Sequence, residues 1–107
     1  MLVAFSISPA ATEDSGGVSE AVAEAVRVVR ASGLPCETNA MFTNVEGDWD
    51  EVMAVLKRAV DVVAARSPRV SLVLKADIRA GHHDQLTYKV RRIEDHLGGT
   101  PPGSSHA

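Results

Sequence analysis

Apolar and polar residues alternate at the start of the chain. Val3, Phe5 and Ile7 fall on one side of an extended backbone and Leu2, Ala4, Ser6 and Ser8 on the other, which predicts a half-buried strand over residues 2–8. The period then changes. Val18, Val22, Ala25, Val26 and Val29 recur at helical spacing, with Glu20, Glu24, Arg27 and Arg30 mainly on the wetter side, so a helix is expected over about 18–32. Gly33 suits the position just past its end, and Pro35 prevents continuation. Residues 36–45 hold many short polar side chains and read as two short strands with a turn near Ala40 to Phe42. Val52, Met53, Leu56, Ala59, Val60 and Val63 form the stripe of a second helix over about 50–65. Past Pro68, Val70, Leu72, Leu74 and Ala76 alternate with Ser71, Val73, Lys75 and Asp77, a strand of high β-propensity over 69–77. Leu86, Val90, Ile93 and Leu97 space a third helix over about 84–97, which Gly98 ends. Residues 9–17 and 78–83 read as loops, and residues 98–107, rich in Gly, Pro and Ser, as a disordered tail.

The resulting order is strand, helix, strand, strand, helix, strand, then an extra helix. Two split βαβ units of this kind build an α+β, ferredoxin-like βαββαβ sandwich with a four-stranded antiparallel sheet. Right-handed crossovers put the first two helices on one face of that sheet. The other face is then bare unless the third helix reaches it. That face mixes Leu2, Ala4 and Val73 with Ser6, Ser8, Ser71, Lys75 and Asp77. Apolar side chains left there in water point to an interface, and small residues such as Ala4 and Ser6 permit close sheet-on-sheet contact. The expectation is a second copy of the chain packed on this face, with polar groups at the strand ends lining a pocket.

Bulk composition narrows the function. A chain of 107 residues makes one domain, here residues 1–97 plus the tail. The formal charge of −3 disfavours nucleic acid or an anionic membrane as the main partner, and 4% aromatics leaves few stacking platforms for single strands. Cys36 is the single cysteine, so no internal disulfide forms, in keeping with a reducing cytoplasm. No apolar run approaches the roughly 18 residues of a membrane span. The apolar N-terminus lacks the basic residues of a signal peptide.

The stretch from Met41 to Met53 carries most of the candidate chemistry. It reads as a short strand bearing Thr43 and Glu46, a tight turn for which Gly47 supplies permissive backbone, and a helix opened by Asp48 with Glu51 in the capping-box position. A hydroxyl and a carboxylate beside a rigid helix start could grip a small polar or cationic ligand. Elsewhere the signals are weaker. His82 and His83 are neighbours in a loop with no third ligand nearby, Cys36 lacks a His or Asp partner in sequence, and no Gly-rich phosphate loop is present. Trp49 at a helix start reads as a packing residue, and Asp77 with Arg79 as a local ion pair.

Three segments resemble the small thiamine-binding protein family of bacteria and archaea. The first is Ser6-Ile7-Ser8-Pro9 with Val18-Ser19-Glu20 opening a helix. The second is Ser32 to Glu37 and then Met41 to Glu51, with Glu46-Gly47 its sharpest mark. The third is Arg69 to Arg79 with Leu86 to Val90 beyond. The resemblance implies a ferredoxin-like fold, homo-oligomers of dimers or tetramers, and binding of thiamine or its hydroxymethylpyrimidine part without catalysis and without a further cofactor or metal. The family commonly has Gly where this chain has Phe42, and Thr or a β-branched residue where it has Asn44. On this reading Thr43, Glu46 and Asp77 are the leading ligand residues, with Ser8 and Lys75 behind them. The carboxylates would offset the thiazolium charge and accept from the exocyclic amine, and the hydroxyls would meet ring nitrogens. The competing classes are a cofactor-free enzyme of the dimeric ferredoxin-like barrel type, which would want a His or Tyr base in the sheet cavity, and a small-molecule-sensing regulatory module.

Overall fold

The computed structural model describes residues 1–10, 17–81 and 83–98. The elements run β1 (Leu2–Pro9), α1 (Gly17–Ala31), β2 (Cys36–Thr38), β3 (Thr43–Glu46), α2 (Trp49–Ala64), β4 (Val70–Asp77) and α3 (Gln85–His96). The strands form one antiparallel sheet in the order β2-β3-β1-β4. This is the ferredoxin-like arrangement expected, and each element begins and ends within a residue or so of its predicted span. The tail expected at 98–107 lies outside the described residues beyond Gly98.

The pattern of the sequence explains the core. Val3, Phe5 and Ile7 of β1 and Val45 of β3 point to the helical side and are buried. Ala21, Ala25 and Val29 of α1 meet them, with Val52, Val55, Leu56, Ala59 and Val63 of α2. Four-residue spacing in α1 uses small side chains, so α1 and α2 approach closely over the sheet. Arg66, just past α2, bridges back to Glu20 and Glu24 of α1.

Local chemistry fixes the connections. Gly33 ends α1 in the left-handed region, with φ +79°. The β2–β3 turn is held by Asn39, whose Oδ1 accepts from the N–H groups of Met41 and Phe42 at 2.9 Å each. Glu51 Oε1 accepts from the Asp48 N–H at 3.2 Å, and the Asp48 carboxylate faces the Glu51 N–H in the looser half of the capping box. Gly47 does not adopt a positive φ, which corrects the turn argument. Its requirement is room: a Cβ there would come within 3.2 Å of Val52 Cγ2 and 3.3 Å of the Leu34 methyls.

Register divides the sheet into two faces. Leu2 pairs with Glu46 on β3 and Asp77 on β4, and Ala4 pairs with Asn44 and Lys75. Ser6 pairs with Val73 and Ser8 with Ser71. These residues share the face opposite α1 and α2. The expectation that β4 buries its apolar side under the helices is corrected: Leu72 and Leu74 stay 39% and 40% exposed. The reason is position, because β4 is an edge strand that α2 only partly overlaps.

Candidate functional site

Glu46 is the last residue of β3 and is 8% exposed. Its side chain leaves the sheet on the face away from α1 and α2, and there it meets α3. Oε2 accepts from the Gln85 N–H at 2.8 Å and Oε1 from the Leu86 N–H at 3.1 Å. These are the first two residues of α3, whose amides have no partner within the helix. Asp84, the residue that would ordinarily cap it, stands in the left-handed region (φ 56°) and makes no side-chain cap hydrogen bond. A carboxylate from a strand 39 residues away therefore does the work of the N-cap, aided by the positive end of the helix dipole. Each oxygen retains a second lone pair.

α3 has a second tether. Lys89 pairs with Asp77 of β4, so Asp77 is joined to α3 and not to Arg79 as expected. The Lys89 hydrogen bond and charge, with smaller contributions from Arg79 and Lys75, hold the Asp77 carboxyl below its ordinary range. Gln85 is itself buried; its Nε2 donates to the His83 carbonyl at 3.0 Å while Oε1 has no protein partner.

Beside this junction lies an open cleft of about 500 Å³. Its walls come from the β3–α2 turn (Glu46, Gly47, Asp48, Trp49 and Glu51) and from the β4–α3 loop (Ile78 to Gly81, His83 and Asp84). Trp49 is 56% exposed there, so it does not pack in the core of the protomer. The cleft thus combines four acidic residues with the Trp49 ring, Arg79, His83 and the N-terminal ammonium of Met1, against an apolar floor that includes Leu34 and Pro35. An arrangement of this kind suits a small cationic or amine-bearing ring. A groove of about 360 Å³ between α1 and α2 is mostly apolar and offers fewer polar groups.

The five candidate ligand residues do not converge. Glu46 and Asp77 lie in one row, on either side of Leu2, with α3 tied to both. Lys75 is in the next row and exposed. Ser8 is six residues along β1 from Leu2, about 20 Å at roughly 3.3 Å per residue. Thr43 is buried on the helical face, bonds the Thr38 hydroxyl at 3.1 Å, and borders a smaller cavity of about 200 Å³ with Phe42, Val22 and Val26. Strand parity carried that signal, since residues 43 and 46 differ by an odd number. Asp48, Trp49 and Asp84 were missed as cleft residues because the loop that completes the cleft comes from the far end of β4.

Cys36 is half-buried and free. Among the described residues no cluster of three or more His, Cys, Asp or Glu could hold a metal ion, and no helix is long and apolar enough to cross a membrane.

A helix-backed antiparallel sheet with a polar cleft at one end of its free face defines a small ferredoxin-like domain of the ligand-binding type. Comparison with known proteins gives the family. Residues 3–94 match the family described as thiamine-binding protein, and the chain belongs to that family. An uncharacterised UPF0045 protein of Mycobacterium bovis is 57% identical over 98 residues, covering 91% of this chain and 94% of the relative. The crystal structure of a hypothetical protein from Methanocaldococcus jannaschii is 35% identical with a TM-score of 0.76, over 86% of this chain and 93% of that one. A Thermotoga maritima protein, provisionally assigned to thiamine biosynthesis or salvage, shares the fold with a TM-score of 0.72 at 23% identity, over 85% and 96% of the two chains.

Proposed function

We propose that this protein binds thiamine, or its hydroxymethylpyrimidine part, without chemically changing it, as a homo-oligomer in the cytoplasm. Membership of the thiamine-binding family carries the reading. The cleft between the β3–α2 turn and the β4–α3 loop supports it physically. Asp48, Glu51 and Asp84 supply negative potential for the thiazolium, and the exposed face of Trp49 supplies a platform for either ring. Glu46 accepts from the exocyclic amine through its remaining lone pairs, while Asp77, across β1 on β4, holds α3 in place through Lys89. Lys75 and Ser8 lie on the bare sheet face, where a second copy packs, and Thr43 belongs to the smaller cavity at the far end. Binding without catalysis is in keeping with the place of Glu46, whose two oxygens each accept a backbone N–H and so brace α3.

Calorimetric titration with thiamine and with hydroxymethylpyrimidine tests the proposal. Saturable heat with either ligand is expected, and recovery of the ligand unaltered by mass spectrometry. No heat at millimolar concentrations of both would remove it, and turnover of the ligand would move the protein to the enzyme class.

A further inference from the structure

The polar groups at the start of α3 are paired unevenly. The N–H groups of Gln85 and Leu86 go to the Glu46 carboxylate at 2.8 and 3.1 Å. The Gln85 carboxamide gives its Nε2 to the His83 carbonyl at 3.0 Å. Its Oε1 is enclosed, on a residue only 7% exposed, and among the described residues nothing donates to it. Reversing the carboxamide offers no remedy, because Oε1 would then face the His83 carbonyl, acceptor against acceptor. An enclosed acceptor left unpaired costs more than an ordinary hydrogen bond returns. What this corner lacks is a donor.

The surroundings define that donor. Glu46, His83 and Asp84 line the cleft. Gln85 is hydrogen-bonded to the first two and follows the third in the chain. Two acceptors therefore meet at the first residue of α3: Gln85 Oε1, and the lone pairs that Glu46 retains. The carboxamide is held by one neutral hydrogen bond, so turning it toward the cleft gives up little and relieves the unpaired oxygen. A hydroxyl brings one hydrogen and lone pairs of its own, and a ring carbonyl brings lone pairs alone. A primary amine on an aromatic ring holds two hydrogens in one plane, one for each acceptor.

We infer that Gln85 sets the specificity of the cleft: its Oε1 and Glu46 together accept the two hydrogens of a ring-bound amine, so aminopyrimidines enter and their oxo counterparts are refused. The inference rests on the reading that the cleft takes thiamine or its pyrimidine part, and adds which edge of that ring is read and by which residue. An oxo group would set its lone pairs against both acceptors, and a site whose buried polar groups are left unpaired discriminates strongly. Asp48 and Trp49 do not make this distinction, since the thiazolium charge is the same in thiamine and in oxythiamine, which has an oxo group in place of the amine.

Gln85 is the single glutamine of the chain, so protein made with glutamine carrying the heavy nitrogen isotope in its carboxamide gives one side-chain amide signal by magnetic resonance. Saturating thiamine should move that signal. Oxythiamine should leave it near its free position and bind about tenfold more weakly or worse in calorimetry. Gln85→Met keeps the length of the side chain and removes the acceptor. It should weaken thiamine binding roughly tenfold and oxythiamine binding little, so the preference for the amine shrinks by that factor. A structural role alone would lower both affinities alike, and that result overturns the inference. Equal affinity of the unmodified protein for the two compounds also overturns it. So does saturable thiamine binding with the Gln85 signal unmoved, which assigns the unpaired oxygen to an enclosed water and leaves the binding reading standing. Absence of any thiamine binding removes both together. Should Gln85→Met fail to fold, the labelled unmodified protein decides alone.

Discussion

At the residue scale, Glu46 is a brace as well as a candidate ligand group. Its carboxylate holds the first turn of α3, so Glu46→Ala removes two charge-assisted hydrogen bonds and leaves the buried Gln85 N–H and the half-buried Leu86 N–H without that partner. The expected cost is about 2 kcal/mol, read by urea denaturation, together with lost helical signal from α3. Weaker thiamine binding in that variant would therefore not by itself place Glu46 on the ligand. Trp49 separates the two roles. It is exposed and outside the core, so Trp49→Ala should weaken thiamine binding several-fold while leaving the urea midpoint nearly unchanged. A fall in stability without a change in affinity would assign Trp49 to packing. Gly47→Ala is a third case. The added methyl presses on Leu34 and Val52, and a loss of about 1 kcal/mol is expected even though the backbone there suits any residue. The sequence marked Glu46-Gly47 as special, yet the physical reasons differ from the ones it suggested. One residue reaches across the fold and the other makes space.

At the element scale, α1, α2 and β1 were legible because one period and one buried face coincide in each. α3 was legible as a helix and illegible as a position. Its stripe of Val90, Ile93 and Leu97 predicted burial, but all three are exposed in the protomer, and the helix is held instead by polar tethers at Glu46 and Asp77. Such tethers join residues far apart in the chain, and no local pattern announces them. The Asp77–Lys89 pair gives α3 a pH dependence whose sign follows from the lowered carboxyl pKa. A group ionising more readily in the folded state contributes stability above its unfolded pKa and loses it as pH falls through the folded value. Docking of α3 should therefore loosen below about pH 4, the ordinary range of an aspartate. Protection of the amides of residues 85–96, measured against their intrinsic exchange rates at each pH, should fall there, and Asp77→Asn should show reduced protection already at neutral pH. Unchanged protection from pH 7 to 3 would contradict the role of this pair.

At the scale of the whole molecule, the protomer has an enclosed core on one side and unfinished surface on the other. Val73, Leu72 and Leu74 of β4 and the α3 stripe leave apolar area in water that a stable monomer ordinarily hides. The alternation in the sequence revealed the bare face, but not that β4 forms the long edge, because strand order depends on crossovers and not on local periodicity. The same topology makes the cleft. It brings the loop after β4 beside the turn after β3, so Asp84 and His83 stand against Asp48 and Trp49 although some 35 residues separate them in the chain.

Trp49 is the single tryptophan, and it lines the cleft, so its fluorescence reports on this site alone. Thiamine titrated into the unmodified protein should shift that emission saturably, with a midpoint equal to the calorimetric one. Emission that stays constant, after correction for absorption by the ligand, while heat saturates would place the ligand elsewhere and contradict the account.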